Sequence, residues 1–184
     1  CASSVFDKVA YRAGVPNVVG VFCAQDHSLA ALSPQLEAGL SDQLTQGRAP
    51  LYLIVEGVEK PGNLGALLRT ASALGVDAVW ACDCPVDLYH PNALRNSLGG
   101  LFDLTLVQCE SQEALSWLKA RGVQVVTTYL EGASALHTLN LTTPSALVVG
   151  AEDKGVSEVW VKGSDALALI PMSGVVDSLN VSVA

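Results

Sequence analysis

Three short segments of the chain carry side chains that could do chemistry together, and each follows an apolar run. The first is Glu56-Gly-Val-Glu-Lys-Pro-Gly-Asn63-Leu-Gly-Ala-Leu-Leu-Arg69, in which a glycine-containing loop delivers Asn63 to the start of a helical stretch. Arg69 follows six residues on, about 600° of helical rotation, which sets it roughly 120° from the Asn63 direction and off the apolar stripe. An amide and a guanidinium so placed can hold a polar group; the same residues also describe an ordinary N-cap and a solvated arginine. The second segment is Val149-Gly150-Ala-Glu152-Asp-Lys-Gly155-Val-Ser157. Its glycines let backbone approach a ligand closely, and Glu152 places a carboxylate at a strand end. The third is Ile170-Pro-Met-Ser-Gly174-Val-Val-Asp177-Ser178-Leu179-Asn180-Val-Ser182. Neutral hydrogen-bonding side chains beside accessible backbone suit a polar, uncharged moiety such as an adenine or a ribose. The alternative is a helix N-terminus capped by Asp177 or Ser178.

Other chemistries find less support. The second segment lacks the Gly-x-x-x-x-Gly-Lys-Ser/Thr spacing of a phosphate-cradling loop, and no Gly-x-Gly-x-x-Gly follows a strand, which weakens the case for a dinucleotide site. The five cysteines are Cys1, Cys23, Cys82, Cys84 and Cys109. Only Cys82 and Cys84 are close, and no second pair or histidine cluster completes a metal site. They read as ordinary thiols at a strand end, and the odd count with irregular spacing fits a reducing, cytoplasmic setting. His27, His90 and His137 belong to none of the three segments and read as structural or surface residues.

The elements that must position these segments follow from periodicity. From residue 51 onward, short β-branched runs alternate with helical stretches. Strands are predicted at 51–55, 76–81, 104–107, 123–127, 145–149 and 166–170, and helices at 64–74, 91–98 and 111–121. In the 64–74 stretch, Leu64, Leu67, Leu68, Ala71 and Leu74 share one face, with Asn63 as N-cap and Gly75 as the stop. This alternation implies an α/β fold with a mostly parallel sheet and helices on both faces. In such a sheet ligands bind beyond the carboxyl ends of the strands, which is where all three segments fall. Residues 1–48 are less regular. A strand at 18–22, a short helix at 33–40 and a polar linker at 41–50 are the expectations there, and a domain beginning at residue 49.

The 184 residues include 50% hydrophobic and only 15% charged, with mean hydropathy +0.39. Disorder is thereby excluded, and no apolar run approaches the ~18 residues a membrane-spanning helix needs. A surface so poor in charge implies a face buried against a partner. The net charge of −8 argues against gripping nucleic acid by bulk electrostatics. The chain opens Cys1-Ala-Ser-Ser without a Met or a basic-then-apolar leader, which reads as a trimmed chain with no signal peptide.

Taken together, the segments resemble the SpoU family of RNA ribose 2′-O-methyltransferases, of the knotted SPOUT class. The resemblance runs from Leu51 to Ala184. It rests on Asn63-x-Gly-x-x-x-Arg69, Gly150-x-Glu152-x-x-Gly155 and Ile170-Pro-Met-x-Gly-x-x-Asp-Ser178-Leu-Asn180-Val-Ser, in the family's order, with Asn92-Ala-Leu-Arg95-Asn-Ser-Leu98 as a further similar stretch. It implies a deep C-terminal trefoil knot, a homodimer with each active site beside the interface, and S-adenosylmethionine bound in a bent form. The cofactor loops would be 127–131, 149–152 and 170–179, with Thr128, Leu130, Gly150, Ile170, Ser178 and Leu179 nearest. The catalytic set would be Asn63, Arg69, Glu152, Ser178 and Asn180, with no metal. Arg69 would polarise the attacking 2′-hydroxyl and hold the adjacent phosphate, since a guanidinium with pKa above ~12 scarcely serves as a base. Glu152 would orient Arg69 or Asn63.

The partner implied is structured RNA, rRNA or tRNA. Residues 1–48 would be the remnant of an N-terminal substrate-binding domain and linker. The family continues past the Asn-Val-Ser step into a long helix, whereas four residues follow Asn180, so that helix is expected to be missing. The alternatives are a non-catalytic RNA-binding or ribosome-assembly protein on the same scaffold, and a nucleotide-dependent α/β enzyme of another class. On this reading the acidic total hides a local arrangement: Lys60, Arg69, Arg95 and Lys154 lie near the site loops, and Asp42, Glu110 and Glu113 lie elsewhere in the sequence.

Overall fold

The computed structural model describes residues 3–10, 20–172 and 179–183. Two helices lead the described chain, α1 (Ser3–Val9) and α2 (Leu29–Thr45), followed by β1 (Leu51–Glu56), α3 (Pro61–Leu74) and β2 (Ala78–Cys82). Next come α4 (Pro91–Ser97), α5 (Gly100–Asp103), β3 (Thr105–Cys109), α6 (Ser111–Ala120) and β4 (Gln124–Thr128). A short β5 (Ser134–Ala135), a 3-10 turn (Leu136–Thr138), β6 (Ser145–Val149), α7 (Glu158–Gly163) and β7 (Ala166–Leu169) complete it. The seven strands form one sheet in the order β3-β2-β1-β6-β4-β7-β5, and every pairing is parallel. All carboxyl ends therefore line one edge, with those of β1 and β6 side by side through the pair Val55–Val149.

Strand alternation divides the apolar residues between two faces. Tyr52, Ile54, Trp80, Val125 and Val148 pack with Leu29, Leu36 and Leu40 of α2, Leu118 of α6 and Trp160 of α7. Val55, Val79, Ala81 and Val149 pack on the other face with Leu64, Leu67, Leu68 and Ala71 of α3 and Leu101 of α5. Burial on both faces is why the strands read as continuous apolar runs. The helices cover both faces as the alternation predicts, and six of the seven strands lie at the predicted runs, with ends shifted by at most two residues.

Three local expectations are corrected. Helix α3 starts at Pro61 with Lys60 as its extended cap residue, so Asn63 lies inside the first turn rather than at the N-cap. Pro61 explains the earlier start, because its fixed φ suits the first helical position, where no N–H partner is needed. The polar stretch 41–50 is not a linker throughout: α2 runs for 17 residues to Thr45, with Ser28 as N-cap accepting from the Ala31 N–H. Its buried Leu36 and Leu40 tie it to the same core as the sheet, a tertiary gain that the polar exposed side of 41–45 conceals from periodicity. Residues 20–22 carry no strand, and residues 18 and 19 lie outside the described residues. The two-residue β5 was not predicted, being too short to show a period.

Candidate active site

The loop from β1 into α3 carries Lys60 and Asn63, the turn after β6 carries Glu152, and the C-terminal segment returns to carry Asn180. These three stretches meet at one carboxylate. Glu152 Oε1 accepts from Asn63 Nδ2 at 2.8 Å and from Asn180 Nδ2 at 2.5 Å. Glu152 Oε2 accepts from Lys60 Nζ at 2.6 Å. The bond from Lys60 holds the Glu152 carboxyl below the usual carboxylate range, assisted by that lysine's charge and by Asn63, and the pairing raises Lys60 in turn. Asn180 is fixed at its other end as well, its Oδ1 accepting from the backbone N–H and hydroxyl of Ser182 at 2.9 and 2.6 Å. Next to it, Val181 is buried in the α3 core cluster, which fastens the returning segment.

The turn that presents Glu152 is wound tightly. Ala151 and Gly155 exchange backbone hydrogen bonds of 3.1 and 2.9 Å. A Cβ on Gly150 would lie 2.2 Å from the Gly155 carbonyl, so only glycine fits where the strand becomes the turn. Beyond the turn, the buried Glu56 at the end of β1 accepts from Ser157 N–H and Oγ, both at 2.6 Å, and from Ser111 Oγ at 2.8 Å. One carboxylate thus pins the starts of α6 and α7 to β1 and anchors the far end of the Glu152 turn. Glu56 was not among the predicted site residues, although its place as the only charge in an apolar strand run was the available signal.

Beside the carboxylate network lies an open cavity of about 220 Å³ at the carboxyl ends of β4, β6 and β7. Thr128, Leu130, Gly150, Ile170 and Leu179 line it, all of them expected from the sequence, and Glu152 and Val181 join it to the network. Tyr129 and Met172, inside the expected cofactor loops 127–131 and 170–179, also line it, as does Val156, which lies beyond the expected loop 149–152. Apolar walls with strand-end backbone suit a flat heteroaromatic ring with polar edges. A second cavity of about 210 Å³ adjoins on the other side of Glu152, lined by Val58, Glu59, Lys60, Asn63, Asp153 and Val181 among others.

The structure does not bring every predicted residue into contact. Arg69 lies exposed on α3, and among the described residues it has no hydrogen-bond or ion-pair partner, so Glu152 orients Asn63 and Asn180 rather than Arg69. Ser178 lies outside the described residues. Lys154 pairs with Glu59 at 2.9 Å. Glu110, distant in sequence, shares a groove with Lys154, Glu59 and Asp83, so acidic groups reach the site edge after all. Cys82 and Cys84 are buried thiols, as the sequence indicated; Cys84 donates to the Val55 carbonyl, and burial pushes that thiol up to about 11. His27 is structural, bonded to the Tyr89 hydroxyl at 2.8 Å and the Leu106 carbonyl at 3.0 Å, and His90 caps α4. Among the described residues no cluster of His, Cys, Asp and Glu could hold a metal ion, and no helix is long and apolar enough to cross a membrane.

Known proteins resemble this chain in sequence and fold. A model of the SpoU rRNA Methylase family matches residues 50–184. The 23S rRNA (guanosine(2553)-2′-O)-methyltransferase RlmP of Bacillus subtilis is 35% identical over 132 residues, covering 72% of this chain and 53% of that protein. The 23S rRNA (guanosine-2′-O-)-methyltransferase RlmB of Pseudomonas aeruginosa is 40% identical over 136 residues, covering 73% of this chain and 55% of its own. Among solved structures, an AdoMet-bound rRNA methyltransferase from Sinorhizobium meliloti superposes with a TM-score of 0.71 at 31% identity, covering 74% of this chain and 52% of that one. This chain spans about half the length of the curated relatives it matches. With the three segments converging at one sheet edge and the family match running from β1 to the end, the chain belongs to the SpoU rRNA methylase family.

Proposed function

We propose that this chain binds S-adenosylmethionine in the cavity at the ends of β4, β6 and β7 and catalyses methylation of a ribose 2′-hydroxyl in structured rRNA or tRNA. The observation that carries this reading is the convergence of Asn63, Glu152 and Asn180 beside that cavity. The residues present fit the cofactor: Gly150 leaves backbone exposed, Leu130, Leu179 and Met172 offer apolar surface, and Thr128 closes the wall. When bound, S-adenosylmethionine supplies a methyl group on a sulfonium centre, open to attack by an oxygen nucleophile. Relatives named as 2′-O-methyltransferases and an AdoMet-bound structural neighbour support the same assignment.

The chain's own residues must position a hydroxyl, a weak nucleophile that has to lose its proton. Glu152 already accepts three hydrogen bonds and is held below the ordinary carboxylate range, so it is a poor base and acts by orientation. With both Asn63 and Asn180 donating to it, their amides are fixed in rotation, and the carbonyl end of Asn63 is set to accept from a bound hydroxyl. Arg69, exposed and without an ion-pair partner among the described residues, would hold the adjacent phosphate and polarise the hydroxyl, a role given by the resemblance. Ser178 completes the set by resemblance.

Three further features belong to this proposal. The first is the trefoil knot, supported by the insertion of β6 between β1 and β4, of β7 between β4 and β5, and by the return of Asn180 and Val181 to the α3 side. A second is a homodimer, supported by exposed Leu74, Leu98 and Phe102 on the α3–α5 side and by the low charged fraction. Finally, the residues before β1 would be the end of a substrate-binding domain and its linker, with α2 docked on the sheet. A cytoplasmic location follows from an RNA substrate of this kind. The open cavity and intact carboxylate network favour catalysis over a purely RNA-binding role on the same scaffold. Mapping ribose methylation across total RNA from cells with and without the gene tests the reading. Loss of a specific 2′-O-methyl nucleotide supports it, and an unchanged map contradicts it.

A further inference from the structure

The family motifs account for Asn63, Glu152 and Asn180 but say nothing of Lys60, which the structure puts on the same carboxylate. Lys60 occupies the N-cap position of α3, three residues before Asn63, so the loop that starts the helix brings both side chains to the Glu152 turn. Its Nζ lies 2.6 Å from Glu152 Oε2, the oxygen that neither asparagine uses. Both Glu152 oxygens are thereby occupied, Oε1 by the two amides and Oε2 by the ammonium, and the carboxyl plane is held from two sides. Without Lys60, the carboxylate could rotate about its last side-chain bond and still satisfy one amide at a time. The Lys60 side chain is 72% exposed, while that of Glu152 is 27% exposed, so the lysine meets the carboxylate from the solvent side.

We propose that Lys60 is a positioning residue of the methyl-transfer site: its ammonium locks the Glu152 carboxylate in the one orientation in which Asn63 and Asn180 converge on Oε1. This rests on the functional reading above. The charged groups around Glu152 are few. Asp153 stands next to it on the turn and opposes its ionisation, and Lys60 faces it from α3. Glu59 and Lys154 line the same side but are paired with each other. No other cation bonds the carboxylate among the described residues, so removing Lys60 leaves Asp153 as the nearest charge.

The test uses Lys60→Met and Lys60→Arg beside the unsubstituted chain. In a first arm without RNA, the side-chain amide resonances of Asn63 and Asn180 are followed by NMR through an acid titration. Both are expected to move together with one midpoint, below the ordinary carboxylate range. In Lys60→Met the midpoint moves up toward that range and the two amides separate, and Lys60→Arg restores the joint behaviour. In a second arm, Lys60→Met lowers kcat for methyl transfer by up to about 100-fold, the scale set by a misplaced site, while KM for RNA stays within about twofold. Amides that titrate independently, or an unchanged midpoint in Lys60→Met, overturn the proposal. A change confined to KM overturns it too, since Lys60 would then be an ordinary phosphate contact. Absence of methyl transfer by the unsubstituted chain overturns instead the functional reading, which separates the two failures.

Discussion

An ionised carboxylate offers about four lone-pair positions, and Glu152 spends three of them on Lys60, Asn63 and Asn180. What such a group contributes depends on its staying charged. Its carboxyl is held below the ordinary range, chiefly by the hydrogen bond from Lys60, so the folded value is the depressed one. The order it imposes is therefore present above the free-carboxylate value of about 4.3 and is lost as pH falls through the lower folded value. Methyl transfer is expected to keep its Glu152-dependent rate down to mildly acidic pH, and Glu152→Gln is expected to be slow at every pH; a Gln variant matching the parent rate contradicts this role. Arg69 makes the complementary case. Arg69→Ala is expected to leave S-adenosylmethionine affinity within about twofold by calorimetry while methyl transfer falls about 10²–10³-fold, the scale for losing one preorganised donor. Unchanged transfer would remove Arg69 from the site.

The turn after β6 decides whether those residues can meet. Gly150→Ala forces a methyl group to 2.2 Å from the Gly155 carbonyl, against backbone with no flexible side chain to yield. Overpacking of this kind costs about 1–3 kcal/mol, and here it falls on the loop that carries Glu152. The expected result is a folded protein, slightly less stable to urea, that no longer binds S-adenosylmethionine measurably; normal cofactor affinity would show that the turn is looser than its hydrogen bonds imply. At this scale the sequence was most readable. The strand at 145–149 matches its predicted bounds, and Gly75 closes α3 in the left-handed region at φ 69°. What escaped was decided by tertiary contact. The α2 helix outruns its apolar stripe because Leu36 and Leu40 are buried while 41–45 is largely exposed. Asn63 was read as a cap because spacing alone cannot distinguish an N-cap from a third helical residue whose side chain is bonded 89 residues away. Lys60 is legible as a cation near the site loops, but its bond to Glu152 and the whole role of Glu56 are not, since nothing local in a lysine or a glutamate names its distant partner.

Across the whole molecule, the −8 charge and the proposed RNA substrate pull in opposite directions. The structure sharpens the conflict, because Glu59, Asp83 and Glu110 gather at the same sheet edge as Lys60 and Lys154, and both lysines are already paired with carboxylates. RNA binding by this chain must then rest on few phosphate contacts. Even if Lys60, Arg69, Arg95 and Lys154 all gave up their present contacts for phosphates, the slope of log K against log salt is expected to be no steeper than about −3, by the single-strand coefficient of ~0.7 per phosphate. A markedly steeper slope would show a basic surface contributed elsewhere. The parallel sheet supplies what the charge does not, a rigid edge at which loops from β1, β6 and the returning C-terminal segment hold one carboxylate between them. That this assembly transfers a methyl group to ribose is the central claim, and one experiment reaches it most directly. The chain is incubated with S-adenosylmethionine carrying a deuterated methyl group and with unmodified rRNA, and the RNA is digested to nucleosides for mass spectrometry. The account requires the label on the ribose of a 2′-O-methylnucleoside, and its loss in Asn180→Ala. Label on a base, or cofactor bound with no label transferred, would contradict it.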